Sequence, residues 1–117
     1  MQLPESHLSL NVPIRRELLF GHRFRRRANR KTTWRNATPD EHAWLKAQPD
    51  LEPLGDFLCL APMIEDELWL LIERVWNGFP DPPKFAFVAY DQDQSLIVAK
   101  DFQRCPSRWR LPEPETL

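Results

Sequence analysis

The stretch IEDELWLLIERVWNG, residues 64–78, carries the strongest periodicity in the chain, and its assignment decides the fold. Ile64, Leu68, Leu71, Ile72 and Val75 follow the i, i+4, i+7, i+8 spacing of a core-facing helix. Glu65, Asp66 and Glu67 load the first turn, where the helix dipole favours negative charge. Arg74 lies near the end and Gly78 stands where a C′ glycine would. The spacing therefore predicts a helix whose Leu68, Leu71, Ile72 and Val75 pack on Phe85, Phe87, Val88 and Val98. On such a helix Trp69 and Trp76, seven apart, share one flank. That flank either closes the core edge or serves as a partner or homodimer seam, since Trp is enriched in interface hot spots. Leu70 falls on the opposite, polar side with Asp66, Glu73 and Asn77.

Beyond it, GFPDPPK (78–84) stops any helix. KFAFVAYD (84–91) and SLIVAKDF (95–102) read as a hairpin around Asp91–Gln94, the first strand apolar on both faces and hence central. CPSRWRLPEPETL (105–117) holds three prolines, so a single domain is expected over residues 1–105, with 106–117 an extended, partly disordered tail.

On the other side, DFLCLAP (56–62) reads as a buried strand. TPDEHAWLKAQ (38–48) reads as a helix: Thr38 is the N-cap, Pro39 sits at N1, and Asp40 and Glu41 fill the first turn. Ala43, Trp44 and Ala47 mark its expected packing side. LSLNVPI (8–14) alternates like an edge strand. RRELLFGHRFRRRA (15–28) is ambiguous. A helix opening at Pro13 fits Ile14, Leu18 and His22. Leu18, Phe20, His22 and Phe24 alternate as a strand would, and Gly21 costs a helix about 1 kcal/mol, so a strand is expected, returning at Thr32–Arg35. The sum is an α+β fold: a small antiparallel sheet of about four to five strands with two helices packed on one face.

The 117 residues carry 42% hydrophobic and 28% charged side chains, as a globular domain does. The net charge of −1 hides an asymmetry. Residues 1–37 hold nine Lys/Arg against two acids, and residues 38–117 hold seven against fifteen. Without an apolar run near 18 residues or a leader pattern, a cytoplasmic protein with no membrane contact is expected.

Catalytic chemistry finds no support. His7, His22 and His42 are scattered, and Cys59 and Cys105 make neither a metal set nor a disulfide framework. Three glycines leave no phosphate-cradling loop. No catalytic residue, metal or cofactor is expected. The segment GHRFRRRANRKTTWR, residues 21–35, is different: seven of its fifteen residues are Arg or Lys and none is acidic. Arg23, Arg25, Arg26, Arg27, Arg30, Lys31 and Arg35 are candidate phosphate ligands, with Phe24 and Trp34 as stacking surfaces; Arg108, Trp109 and Arg110 repeat the mixture. The competing account pairs these arginines internally, with Glu65, Asp66 and Glu67 among the candidate acids.

Two functions are therefore expected, neither enzymatic. The first is a binding protein that contacts nucleic acid or a nucleoprotein through this basic arm. The alternative is a stoichiometric protein inhibitor, of the immunity or anti-defence type carried by bacterial phages and mobile elements. It would act through the acidic half and the Trp69/Trp76 flank.

Overall fold

Glu65 and Asp66 adopt positive φ angles, 52° and 62°, and there the chain reverses. In the computed structural model, which describes residues 3–10, 17–75 and 84–112, the segment after them is a strand and not a helix. The elements in chain order are α1 (Glu17–Ala28), β1 (Thr32–Thr33), β2 (Arg35–Asn36), α2 (Pro39–Lys46), a single 3₁₀ turn at Glu52–Leu54, β3 (Phe57–Leu60), β4 (Leu68–Glu73), β5 (Phe85–Tyr90), β6 (Leu96–Phe102) and β7 (Trp109–Arg110). Strands β2-β3-β4-β5-β6 form an antiparallel sheet in that order, and β1 pairs with β7 in a separate parallel ribbon. The α+β class is as the sequence indicates, with one helix exchanged for another.

The exchange has a physical cause. Strand β4 lies between β3 and β5 and is buried on both faces. Trp69 and Leu71 point to one side, Leu70 and Ile72 to the other, each 2% exposed or less. A strand covered on both sides shows an unbroken apolar run, so its two-residue period is invisible. The acidic residues that resemble a helix start instead make the turn of the β3–β4 hairpin, closed by the Ile64–Glu67 bridge, with Glu67 N–H donating to Ile64 O at 2.9 Å. Leu70, expected on a polar side, is in the core, and Val75, expected in the core, is 59% exposed. Trp76 and Gly78 lie outside the described residues.

The opposite correction applies to residues 17–28, where α1 replaces the expected strand. Phe20, Phe24 and Arg27, at i, i+4 and i+7, turn inward together, a spacing that period-two alternation concealed. A Cβ at Gly21 would meet nothing within 4 Å, so this glycine answers no packing demand. Gly55 does: a Cβ there would lie 2.7 Å from Glu73 O, where the chain crosses β4 closely.

The sheet separates two cores. On one face, Trp69, Leu71, Phe85, Phe87, Ala89 and Val98 pack beneath α1, Trp34 and Trp109. On the other, Leu58, Leu60, Leu70, Ile72, Val88 and Tyr90 pack beneath Leu8, Leu51 and Leu45 of α2. The helices thus flank the sheet rather than sharing a face. Thr38 caps α2 with the expected reciprocal box: its Oγ1 accepts from Glu41 N at 3.2 Å, and Glu41 Oε1 accepts from Thr38 N at 2.9 Å. Its inward residue is Leu45, with Trp44 half-buried; Ala43 and Ala47 are exposed, contrary to expectation.

The hairpin β5–β6 is as expected, with β5 buried at all six positions. Residues 8–10 form no strand and are held by side chains instead, Leu8 N–H donating to Gln48 Oε1 at 2.9 Å. Residues 11–14 lie outside the described residues. The core continues past the boundary expected at residue 105: Trp109 is 6% exposed and β7 runs beside β1. Residues 113–117 of the expected tail lie outside the described residues. No helix among the described residues is long and apolar enough to cross a membrane.

A pair of substitutions distinguishes strand from helix at 68–75. Leu70→Ala should cost about 2–5 kcal/mol in denaturant unfolding, as core truncations do. Val75→Ala should stay within about 0.5 kcal/mol, as surface changes do. A helix with the expected face would reverse the two results.

Candidate nucleic-acid interface

Folding as a helix sorts the basic segment by direction. Arg27 points inward and forms a two-pronged ion pair with Glu67: Nε to Oε1 at 2.9 Å and Nη2 to Oε2 at 2.7 Å, both side chains largely buried. The remaining prong, Nη1, donates to Arg23 O at 3.0 Å. Burial pushes the Glu67 carboxyl up, but hydrogen bonds from Arg27 and Trp69, with the nearby charges of Arg27 and Arg30, hold it below its ordinary value. Arg23 donates to Ile97 O at 3.1 Å. Arg30 reaches Glu65 at 3.2 Å in an exposed pair that contributes little. Arg35 grips Glu41 with both nitrogens, at 2.7 and 2.8 Å. The internal-pairing account therefore holds for Arg27, Arg30 and Arg35. Two of their acids, Glu65 and Glu67, are legible candidates in sequence; Glu41 is not.

The aromatic residues of the segment are committed inward. Trp34 is 2% exposed and meets Trp69, Phe87 and Trp109 at ring separations of 6.3, 6.1 and 5.2 Å. Its Nε1 is buried with no hydrogen-bond partner. Phe24 contacts Phe87, Phe102 and Trp109 at 5.2–5.9 Å. Trp109 Nε1 donates to Arg27 O at 3.3 Å, fastening β7 to the last turn of α1. Rings enclosed as Trp34 and Trp109 are have no face to offer a base and are core residues, and Phe24 is partly buried against them. Trp69, expected on an interface flank, is also enclosed, with Nε1 donating to Glu67 Oε1 at 2.9 Å. That removes one of the two aromatic contacts on which the inhibitor reading relies.

Of the candidate phosphate ligands, Arg25, Arg26, Lys31, Arg108 and Arg110 are exposed and form no ion pair among the described residues. Arg25 and Arg26 share the outward side of α1 with His22 and Asn29, at i, i+3, i+4 and i+7. Sequence alternation placed His22 on a strand and gave Asn29 no role. Thr32 N donates to Arg108 O at 3.2 Å and Trp34 N to Arg110 O at 2.8 Å, bringing the C-terminal arginines beside Lys31. Since Trp109 points inward, its two neighbours point outward. The result is a basic surface made from three segments, gathered at the C-terminal end of α1. Its dipole welcomes some positive charge there, about half an elementary charge's worth.

Elsewhere the chemistry is quiet. Burial pushes the Cys59 thiol up to about 11 and Cys105 up to about 12, with the Glu73 carboxylate adding to both, the reverse of an activated nucleophile. His42 stacks on Phe57 at 6.3 Å. Among the described residues no three His, Cys, Asp or Glu side chains gather as a metal-ligand set. Comparison of the chain with protein-family models, with curated proteins and with solved structures finds no match.

Two expectations follow. Trp34→Ala should lower unfolding free energy by about 3–5 kcal/mol, the cost of emptying a core aromatic site. The second concerns Glu41, whose carboxyl is held at about 2, chiefly by the Arg35 hydrogen bond, against burial and with help from Thr38. A depressed carboxyl contributes stability that is present above its ordinary value of 4.5 and lost as pH falls toward 2. Arg35→Ala should therefore be less stable than wild type near neutrality. The gap should close as denaturant melts are taken down to about pH 2.

Proposed function

We propose that this protein binds nucleic acid through its phosphates, using Arg25 and Arg26 of α1 together with Lys31, Arg108 and Arg110. The observation that supports this reading is the division of the arginines. Arg27, Arg30 and Arg35 are paired with acids of the chain, whereas Arg25, Arg26, Arg108 and Arg110, with Lys31, are exposed and lack an acidic partner among the described residues. Like charges gathered on one surface repel one another, weakly where solvent and salt screen them. A polyanion relieves that repulsion and releases its own counterions.

The buried rings sharpen the proposal. Without exposed aromatics in the basic segment, binding depends on charge and not on stacking, so duplexes are bound at least as well as single strands. Double-stranded DNA presents one charge per about 1.7 Å, twice the density of one strand. Helix α1, 12 residues and about 18 Å long, presents Arg25 and Arg26 outward in its last turn, where that end of the helix can meet a groove edge.

Fluorescence anisotropy with labelled duplex and single-stranded oligonucleotides, from about 50 to 200 mM salt, tests this. With five phosphate contacts the duplex slope of log K against log salt should be about −4.5. Arg25→Ala with Arg26→Ala should flatten it by about 1.8, alike for unrelated sequences. No binding at about 50 mM salt, or an unchanged slope in the double variant, would refute the proposal.

A further inference from the structure

We propose that the open groove between the N-terminal segment, the β3–β4 turn and the β5–β6 loop receives a lysine or arginine side chain from a partner polypeptide. The groove lies on the sheet face away from α1, and the inference does not depend on phosphate binding. Strand alternation establishes the separation: Phe87 faces α1, whereas Tyr90 and its register partner Leu68 face the other way. Leu8, Leu68, Tyr90 and the 54%-exposed Met63 supply an apolar lining. Asp66 and Asp91 line it as well, and no lining residue is basic.

Size narrows the occupant. The groove encloses about 270 Å³ and is open to solvent. Sites for drug-sized ligands run from about 300 to 1,000 Å³ and cover most of the molecule. One protruding side chain suits this space better. The lining then specifies which kind. Lysine and arginine join an apolar stem to a cationic head, and the stem covers aliphatic surface while the head seeks anions. Methionine adapts its shape to such a stem.

The carboxylates are available for that head. Asp91 Oδ1 accepts from the backbone of Asp93 and Ser95, both at 2.9 Å, which fixes the group with Oδ2 outside both bonds. Asp66 makes no ion pair among the described residues, although its turn neighbours do: Glu65 and Glu67 reach back to Arg30 and Arg27. One turn thus sends one acid to α1 and one to Arg30 just beyond it, and leaves the third beside the groove.

The test is a methyl and amide NMR titration of the full chain with acetyl-Gly-Lys-Gly-amide, with the norleucine peptide and cadaverine as controls. The expected result is saturable shifts at Met63, Leu68 and Tyr90 with the lysine peptide, weaker with either control. Asp66→Asn and Asp91→Asn should each weaken binding about two- to fivefold, the worth of a partly screened ion pair. Both variants keep the fold, because asparagine accepts the positive φ at residue 66 and retains the turn-closing oxygen at residue 91. Arg25→Ala should leave the titration unchanged. Several outcomes overturn the proposal: no saturable shifts, equal binding of the norleucine peptide (an apolar cleft only), or tighter binding of cadaverine (a small-amine site). Asparagine variants that bind like wild type would overturn it too.

Discussion

The buried pair Arg27–Glu67 ties together segments that are 40 residues apart in sequence. One end is the inward face of α1, and the other is the first residue after the β3–β4 turn. Around it, the Trp69 indole donates to the same carboxylate and the Trp109 indole to the Arg27 carbonyl, so α1, β4 and β7 meet at one polar hub inside an aromatic core. A guanidinium this enclosed is tolerable because all three of its nitrogens have acceptors. Removing either charge would strand the other in surroundings that cannot solvate it.

That hub also sets the character of the surface. Once Arg27 turns inward with Phe20 and Phe24, helical geometry sends Arg25 and Arg26 outward, since they lie off that stripe. The β7 strand, held by Trp109, then brings Arg108 and Arg110 to the same end. A single run of arginines becomes two populations. One cements the fold, and the other makes a cationic surface without an acidic partner among the described residues. Two acids outside those ion pairs, Asp66 and Asp91, line the groove on the opposite sheet face.

Elements with a local signature were legible in the amino-acid sequence. Thr38, Pro39 and Glu41 form the capping box because their spacing alone suffices. The β5–β6 hairpin follows from two apolar runs flanking a polar, Asp-containing loop. Residues 17–28 fit both periods, while at 64–75 an unbroken apolar run hides the strand period; in neither segment does local propensity arbitrate. Glu65 and Asp66 form a tight hairpin turn without glycine or asparagine, the residues that usually announce one. The candidate site was half-legible: its cations were visible, but not which would point outward.

The sequence by itself determined the class of fold, the capped helix α2, the final hairpin and the concentration of positive charge near the N-terminal half. Each rests on residues close enough to interact before the chain folds. Only the tertiary structure decided that residues 68–73 are a strand and 17–28 a helix, because burial on both faces of β4 is a property of its neighbours and not of its own pattern. It likewise decided that Trp34 and Trp109 are core, with Phe24 partly buried against them, while Arg25, Arg26, Lys31, Arg108 and Arg110 are surface. Direction on a helix or strand acquires meaning only when something packs against one side.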